Sequence, residues 1–344
     1  MSKKLRKWLF WLVNAAALML SVTFLFSGWT KANDPIGTMV KLSDYAMAMG
    51  LPIQKGLLLL TTSVALAFTE FSLGVCLLFG LNRRHVPRFS LLLMAVMTLL
   101  TLWLAAFNPV EDCGCFGDAL ILTHGQTLLK NIILTACAVL VCWRPRYQLR
   151  LVRTSSAWLV STPLMVGIVM YAFYCIYALP IVDFRPWHVG ADIRKMMEEP
   201  KLHSRYTYRI HELDVADFAA IDPNTGEDRS SDIIYGQGYT FLLVAPNLRV
   251  ADQGCVGLVN EVYDYATRHG FGFYCLTAST TEDQDYWTDH TGAEYSYLES
   301  DELLLRTMVR ANPGLLLIAD GKVIQKWSNW TLPDETELEE LTHK

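Results

Sequence analysis

The sequence predicts a membrane-embedded α-helical bundle followed by an α/β domain, and three observations carry that prediction. Five apolar runs, each near the roughly 20 residues that cross a hydrocarbon core, fill the first half of the 344-residue chain. Beyond Asp183 the composition turns mixed, and segments with strand and helix periodicity alternate. Basic residues sit in the short loops between the runs, and the loop after the third run has none. The overall 52% hydrophobic and 18% charged content conceals this division. With a net charge of -5 and no basic face, the chain is a poor nucleic-acid binder.

The apolar runs cover residues 8–29, 56–81, 89–107, 127–143 and 157–181. The first follows Lys3, Lys4, Arg6 and Lys7, as a signal peptide would. Its apolar stretch is too long for that role and no clean small-x-small cleavage site follows, so it reads as a retained helix. Four runs form a bundle over residues 1–154, and a fifth transmembrane helix occupies 155–181. A linker over 182–205 leads to a C-terminal domain at 206–344. Arg83, Arg84 and Arg88 separate runs two and three; Arg144, Arg146, Arg150 and Arg153 separate runs four and five. If all five span, every basic loop faces one side. The positive-inside rule then puts the N-terminus in the cytoplasm, and the loop after run three and the C-terminal domain in the periplasm. After run one, Asp34-Pro35-Ile36-Gly37 reads as a turn, and the residues that follow as an interfacial helix capping the bundle.

The sharpest motif is Asp112-Cys113-Gly114-Cys115-Phe116-Gly117-Asp118, just outside run three. Two thiols separated by one glycine can meet, and a strained bond between near neighbours is easily reduced. Cys113 and Cys115 are therefore redox candidates, with a plain disulfide or tight turn as the structural alternative. A metal site is not expected, since no second pair of His or Cys lies nearby. Glu70 lies near the middle of run two, where a carboxylate costs several kcal/mol unless protonated or paired. It is a candidate proton site or a hydrogen-bond partner for a neighbouring helix. Lys31 and Lys130, near helix ends, are expected to snorkel outward. Cys76, Cys137, Cys142 and Cys175 lie in apolar runs and read as small hydrophobes.

Residues 8–143 resemble the four-helix MauE/DoxX family of redox-associated membrane proteins. The matching pieces are Phe26-Ser27-Gly28-Trp29-Thr30-Lys31 with Asp34-Pro35, then Glu70-Phe71 with Leu73-Gly74. They continue with Asp112-Cys113-Gly114-Cys115-Phe116-Gly117 and Lys130-Asn131. The resemblance implies disulfide formation or thiol handling for exported protein clients in the inner membrane, with a membrane quinone as the implied electron carrier.

In the C-terminal domain, residues 206–213 alternate like a strand, and 216–234 read as a hairpin-like lead-in with a turn at Asp222-Pro223. Residues 239–245 and 271–276 are continuous apolar runs, the kind found in strands covered on both faces. Helices are expected from Leu258 to Gly270 and over 283–290, 301–310 and 335–341. Asp320-Gly321 between 315–319 and 322–327 is a two-residue hairpin signal. This order resembles the membrane-tethered, TlpA-like branch of the thioredoxin-like fold. The resemblance implies a cis bond at Asn312-Pro313 and a peptide groove bordered by Arg249, Asn312 and Pro313. It also implies a Cys-x-x-Cys at residues 248–251, where this chain has Leu-Arg-Val-Ala instead. Cys255, one turn later, is a secondary thiol candidate, and a packed helix thiol is its simpler reading.

Two function classes follow: a membrane thiol-disulfide exchanger working through Cys113 and Cys115, or a non-catalytic anchored assembly factor whose C-terminal domain binds a client. A transporter reading has only Glu70 in its favour, because no inverted repeat or pair of broken helices is visible.

Overall fold

The computed structural model describes residues 2–51, 56–108, 110, 113–198, 215 and 218–342. The chain divides into two compact units, Met1–Cys175 and Ile176–Lys344. Glu111, Asp112, residues 199–205 of the expected linker, the expected strand at 206–213 and the start of the lead-in at 216–217 lie outside the described residues.

In the first unit α1 (Lys3–Asn33), α3 (Leu57–Phe79), α4 (Val86–Phe107), α5 (His124–Trp143) and α6 (Ala157–Ala178) are each long and apolar enough to cross a membrane. A shorter α2 (Pro35–Ala48) follows α1 directly. The expected turn at Asp34–Gly37 is a helix start instead. Asp34 is the N-cap, its carboxylate accepting from the Gly37 N–H at 2.8 Å, and Pro35 takes the first helical position, where its missing N–H costs nothing. A capping box between Thr123 and Gln126 starts α5 three residues before its apolar run.

Helices α1 and α3 approach most closely at glycines. A Cβ on Gly28 would lie 2.5 Å from the Phe71 backbone N and 2.8 Å from the Ala67 carbonyl O. One on Gly74 would meet the Leu25 N at 2.8 Å. Small residues at such contacts let helix backbones pack tightly where lipid supplies no hydrophobic drive. Side-chain hydrogen bonds join α4 to α5: Thr98 to Thr135 at 2.8 Å, and Asn131 Nδ2 to Thr101 Oγ1 at 3.2 Å. Tyr171 of α6 donates to Asn33 of α1 at 2.7 Å.

The second unit is built on a five-stranded mixed sheet in the order β3-β2-β1-β4-β5. Its strands are β1 (Tyr239–Val244), β2 (Gly272–Thr277), β3 (Ser296–Glu299), β4 (Gly314–Ala319) and β5 (Lys322–Ser328). The pairs β1–β2 and β2–β3 are parallel; β1–β4 and β4–β5 are antiparallel. Helices α7 (Ile193–Glu198), α8 (Ser230–Tyr235), α9 (Val256–His269), α10 (Thr281–Thr291), α11 (Glu302–Met308) and α12 (Glu335–Thr342) complete the unit.

Alternate residues of β1 enter separate cores. Leu242 and Val244 join Trp187, Ile234, Leu304 and Met308; Phe241 and Leu243 join Val259, Tyr265 and Trp287. The sheet is therefore covered on both faces, which is why β1 is apolar throughout rather than alternating. Both sheet edges carry a short backbone bridge, Ile221 to Glu299 on β3 and Asp192 to Lys322 on β5, which shields groups that would otherwise invite another strand. Asp320 and Gly321 both have positive φ, as the two-residue hairpin requires. β3 escapes sequence reading because it is four residues long and only half covered. The lead-in is a single antiparallel bridge, Ile221 to Asp228, followed by α8 rather than a second strand.

Candidate functional site at the Cys113–Cys115 loop

The loop between α4 and α5 folds over the C-terminal end of α1. Gly114 and Gly117 both have positive φ, and the Gly117 N–H donates to the Gly114 carbonyl at 3.0 Å, which closes a tight turn around Cys115 and Phe116. Phe116 is buried; its ring lies 5.3 Å from that of Phe26 and 4.1 Å from the Lys130 ammonium. Lys130 therefore faces the loop rather than extending to solvent, and cation–π attraction holds it there.

The Cys115 carbonyl accepts two hydrogen bonds from α1: Ser27 Oγ at 2.7 Å and Lys31 Nζ at 2.8 Å. Lys31 also donates to Ser27 Oγ at 2.6 Å and to Glu70 Oε2 at 2.8 Å, which uses all three ammonium hydrogens. The two charged residues are only 5% and 4% exposed. The outward snorkelling expected of Lys31 is thus corrected. It turns inward because a carboxylate on α3 would otherwise be left without a partner at that depth, and the glycine contact one turn away brings the two helices near enough. Of the two roles open to Glu70, the hydrogen bond to a neighbouring helix is present.

Cys113 is buried and Cys115 half-buried; both are free thiols. The neighbouring Cys113 side chain chiefly lowers the Cys115 thiol below its ordinary value; burial opposes the shift, and the Lys130 and Lys31 charges assist it. The Cys113 thiol is raised by the Cys115 side chain and then by burial. The Tyr45 hydroxyl on α2 donates to the Cys113 carbonyl. The arrangement can therefore hold one thiol as the more acidic member of a pair, with its main chain pinned to the bundle.

The remaining candidates lie in the second unit. Cys255 is buried at the start of α9; its Sγ donates to the Asp252 carbonyl at 3.3 Å, and burial, with Asp252 nearby, pushes its thiol up to about 11. It is a poor nucleophile at neutral pH. The Asn312–Pro313 bond is cis and Pro313 is buried. Asn312 Nδ2 donates to the Asn247 carbonyl at 2.8 Å, and the Asp252 N–H donates to the Asn312 carbonyl at 3.0 Å. Arg249 is exposed but engaged: its Nε lies 2.9 Å from Asp283 Oδ1 and its guanidinium 4.8 Å from the Tyr286 ring centre. Among the described residues no group of three or more His, Cys, Asp or Glu is placed to hold a metal ion.

Sequence reasoning missed a buried cluster in this unit. Lys326 on β5 pairs with Asp183 at 2.7 Å, and Arg185 pairs with the same carboxylate at 2.8 Å. The cluster fastens the segment after α6 to β5. Its only sequence signal is a lysine in a strand that otherwise reads as covered.

These features define a multi-pass membrane protein that carries a mixed α/β unit. Residues 7–144 match the family model described as methylamine utilisation protein MauE, so the four-helix part of the bundle is similar to that family. No curated protein and no solved structure matches the chain.

Proposed function

We propose that the chain is an inner-membrane thiol-disulfide exchanger for exported proteins, with the Cys113–Cys115 loop as its redox centre. The observation that carries this reading is the thiol pair itself: two free cysteines one residue apart in a loop seated on the bundle, with the Cys115 main chain held by Lys31 and Ser27. In the oxidised protein, a client thiolate attacks the Cys113–Cys115 disulfide and one cysteine leaves as thiolate. The client's second thiol then displaces the mixed disulfide. The client gains one disulfide, and the loop gains two electrons and two protons. Re-forming the disulfide between Cys113 and Cys115 would release those two electrons and two protons, which a membrane quinone would supply the capacity to accept as it became the quinol. Basic loops at one end of the bundle support a cytoplasmic N-terminus, with the cysteine loop and the C-terminal unit in the periplasm.

The five-stranded mixed sheet, covered on both faces, supports a thioredoxin-like reading of the second unit. Residues 248–251 hold no cysteine, so this unit would act by binding a client rather than by dithiol exchange.

The test is the redox state of Cys113 and Cys115 in intact cells, trapped with a membrane-impermeant alkylating reagent and read by mass. A mixture of forms that shifts toward reduced when respiration is blocked supports the exchanger. One fixed state that ignores respiration overturns it and favours an anchored assembly factor. In that second case Arg249→Glu, which sets a third carboxylate beside Glu282 and Asp283, should impair client capture more than Cys113→Ser with Cys115→Ser does.

A further inference from the structure

The second unit begins in the last turn of α6 and sets an exposed tryptophan against it. At about 1.5 Å per residue the 22 residues of α6 extend about 33 Å, against roughly 30 Å for a hydrocarbon core. A spanning helix of that length has its last turn at the boundary between acyl chains and headgroups. Tyr174 and Tyr177 stand there one turn apart, each about half exposed, as aromatic side chains at that level do. Within the second unit the Tyr177 ring meets the Trp330 ring edge-on, their centroids 5.3 Å apart. Trp330, just beyond the end of β5, is itself 65% exposed. The depth of Trp330 is therefore set by the depth of Tyr177.

The turn that presents Trp330 is firmly built. The Trp330 N–H donates to Ser328 Oγ at 3.2 Å, the Thr331 N–H to the Ser328 carbonyl at 3.1 Å, and the Ser328 N–H to Thr331 Oγ1 at 3.0 Å. Asn329 Nδ2 donates to Asp252 Oδ2 at 2.6 Å. The chain leaving α6 is fastened to the same strand, because Asp183 pairs with Lys326 of β5 at 2.7 Å. Tyr177 and Asp183 thus attach to the end of β5 and to the turn after it. Together they keep the indole beside the last turn of α6.

Trp330 belongs to neither core of the sheet, so its apolar body gains nothing from the interior of its own unit. Ile181, between the two attachments, is 58% exposed and extends the apolar surface. Residues 328–342 contain five acidic residues and no Lys or Arg, so attraction to anionic headgroups plays no part. What suits this patch is the interface that α6 already enters: an indole has a large apolar face for the acyl boundary and one N–H donor for the headgroup layer.

We propose that Trp330, with Tyr177 and Ile181, seats the second unit on the bilayer surface, the indole lying at the headgroup–acyl boundary of zwitterionic lipid. The contact is the same on either side of the membrane and is independent of thiol exchange.

The experiment is photo-crosslinking of the full chain in phosphatidylcholine vesicles, with benzoylphenylalanine replacing Trp330 or, separately, Ser296. Ser296 is exposed on β3, at the edge of the sheet opposite β5. Phospholipid adducts, read by mass, should form at position 330 and stay at the unirradiated background at position 296. No lipid adduct at position 330, equal yields at the two positions, or adducts to a second copy of the chain in place of lipid overturns the proposal. Molar salt should leave the yield at position 330 unchanged; a yield that collapses would make the contact electrostatic and overturn it too. A second measurement keeps the native indole. The fluorescence of Trp330, taken as wild type minus Trp330→Phe, should be quenched by lipid brominated near the headgroup and spared by aqueous iodide. Quenching by iodide with none by the brominated lipid places the ring in water and overturns the proposal.

Discussion

Lys31→Met tests whether the buried ion pair holds the bundle and the loop together. The substitution keeps an unbranched chain of similar length and removes three donated hydrogen bonds, to Ser27, Glu70 and the Cys115 carbonyl. At an effective dielectric of about 20, unit charges at the observed 2.8 Å attract by about 6 kcal/mol. Desolvation of both groups consumes much of that, so the intact pair is worth little over an apolar pair of the same shape. Removing one partner is another matter. Glu70, 4% exposed, would be left as an uncompensated buried carboxylate, at a cost of about 3–5 kcal/mol. For a unit of this size that corresponds to a fall of roughly 6–20 °C in the melting temperature. Lys31→Met with Glu70→Gln removes the orphaned charge, leaves Gln able to hydrogen-bond, and should recover more than half of the loss. The assay is thermal unfolding of the detergent-solubilised chain by tryptophan fluorescence, following the transition that the single variant shifts. A melting temperature for Lys31→Met within about 2 °C of wild type would refute the reasoning, since under about 1 kcal/mol would then rest on the pair. So would a double variant no more stable than the single one, because the cost would then lie in lost packing rather than in stranded charge.

Cys113→Ser replaces the side chain that chiefly lowers the Cys115 thiol, so the pH midpoint for Cys115 alkylation should move up; an unchanged midpoint would assign the acidity to Lys130 and Lys31 alone. Gly28→Ala should destabilise the first unit by about 1–3 kcal/mol and speed alkylation of Cys115, because a Cβ 2.5 Å from a backbone nitrogen forces α1 and α3 apart. Cys255 should react slowly with iodoacetamide at pH 8, its thiol being pushed up to about 11, and Cys255→Ala should leave thiol exchange intact. In the second unit burial opposes the charge of Asp183, but Arg185 and Lys326 together hold it well below the carboxylate range. The unfolded chain therefore binds more protons at low pH, and the stability contributed above about pH 4 is lost as pH falls. Lys326 is lowered to about 8, by burial first and Arg185 second, so the folded chain binds fewer protons than the unfolded between about pH 8 and 10.5 and stability should rise across that window. Denaturant titrations of wild type and Lys326→Met at pH 3, 7 and 9.5 measure both limbs, and only the upper one should vanish in the variant.

The sequence alone determined the membrane helices, because a run of apolar residues long enough to cross a bilayer has few other stable places to be, and each of the five runs became one. The buried strands β1 and β2 and the Asp320-Gly321 hairpin were legible for related reasons: the first two are apolar throughout, and the last needs two residues that accept positive φ. Cys113 and Cys115 stood out because two thiols in a polar loop have no packing reason to be there. Tertiary structure alone decided what surrounds them. Lys31 and Glu70 are 39 residues apart, and each looked separately like an ionisable residue in the wrong solvent. Their pairing depends on the close approach of α1 and α3 at Gly28, a property of two helix faces that no local pattern encodes. The Asp183–Arg185–Lys326 cluster was hidden for the same reason. Charge is local in sequence, but the energy of a buried charge is set by whichever distant group the fold brings within hydrogen-bond distance.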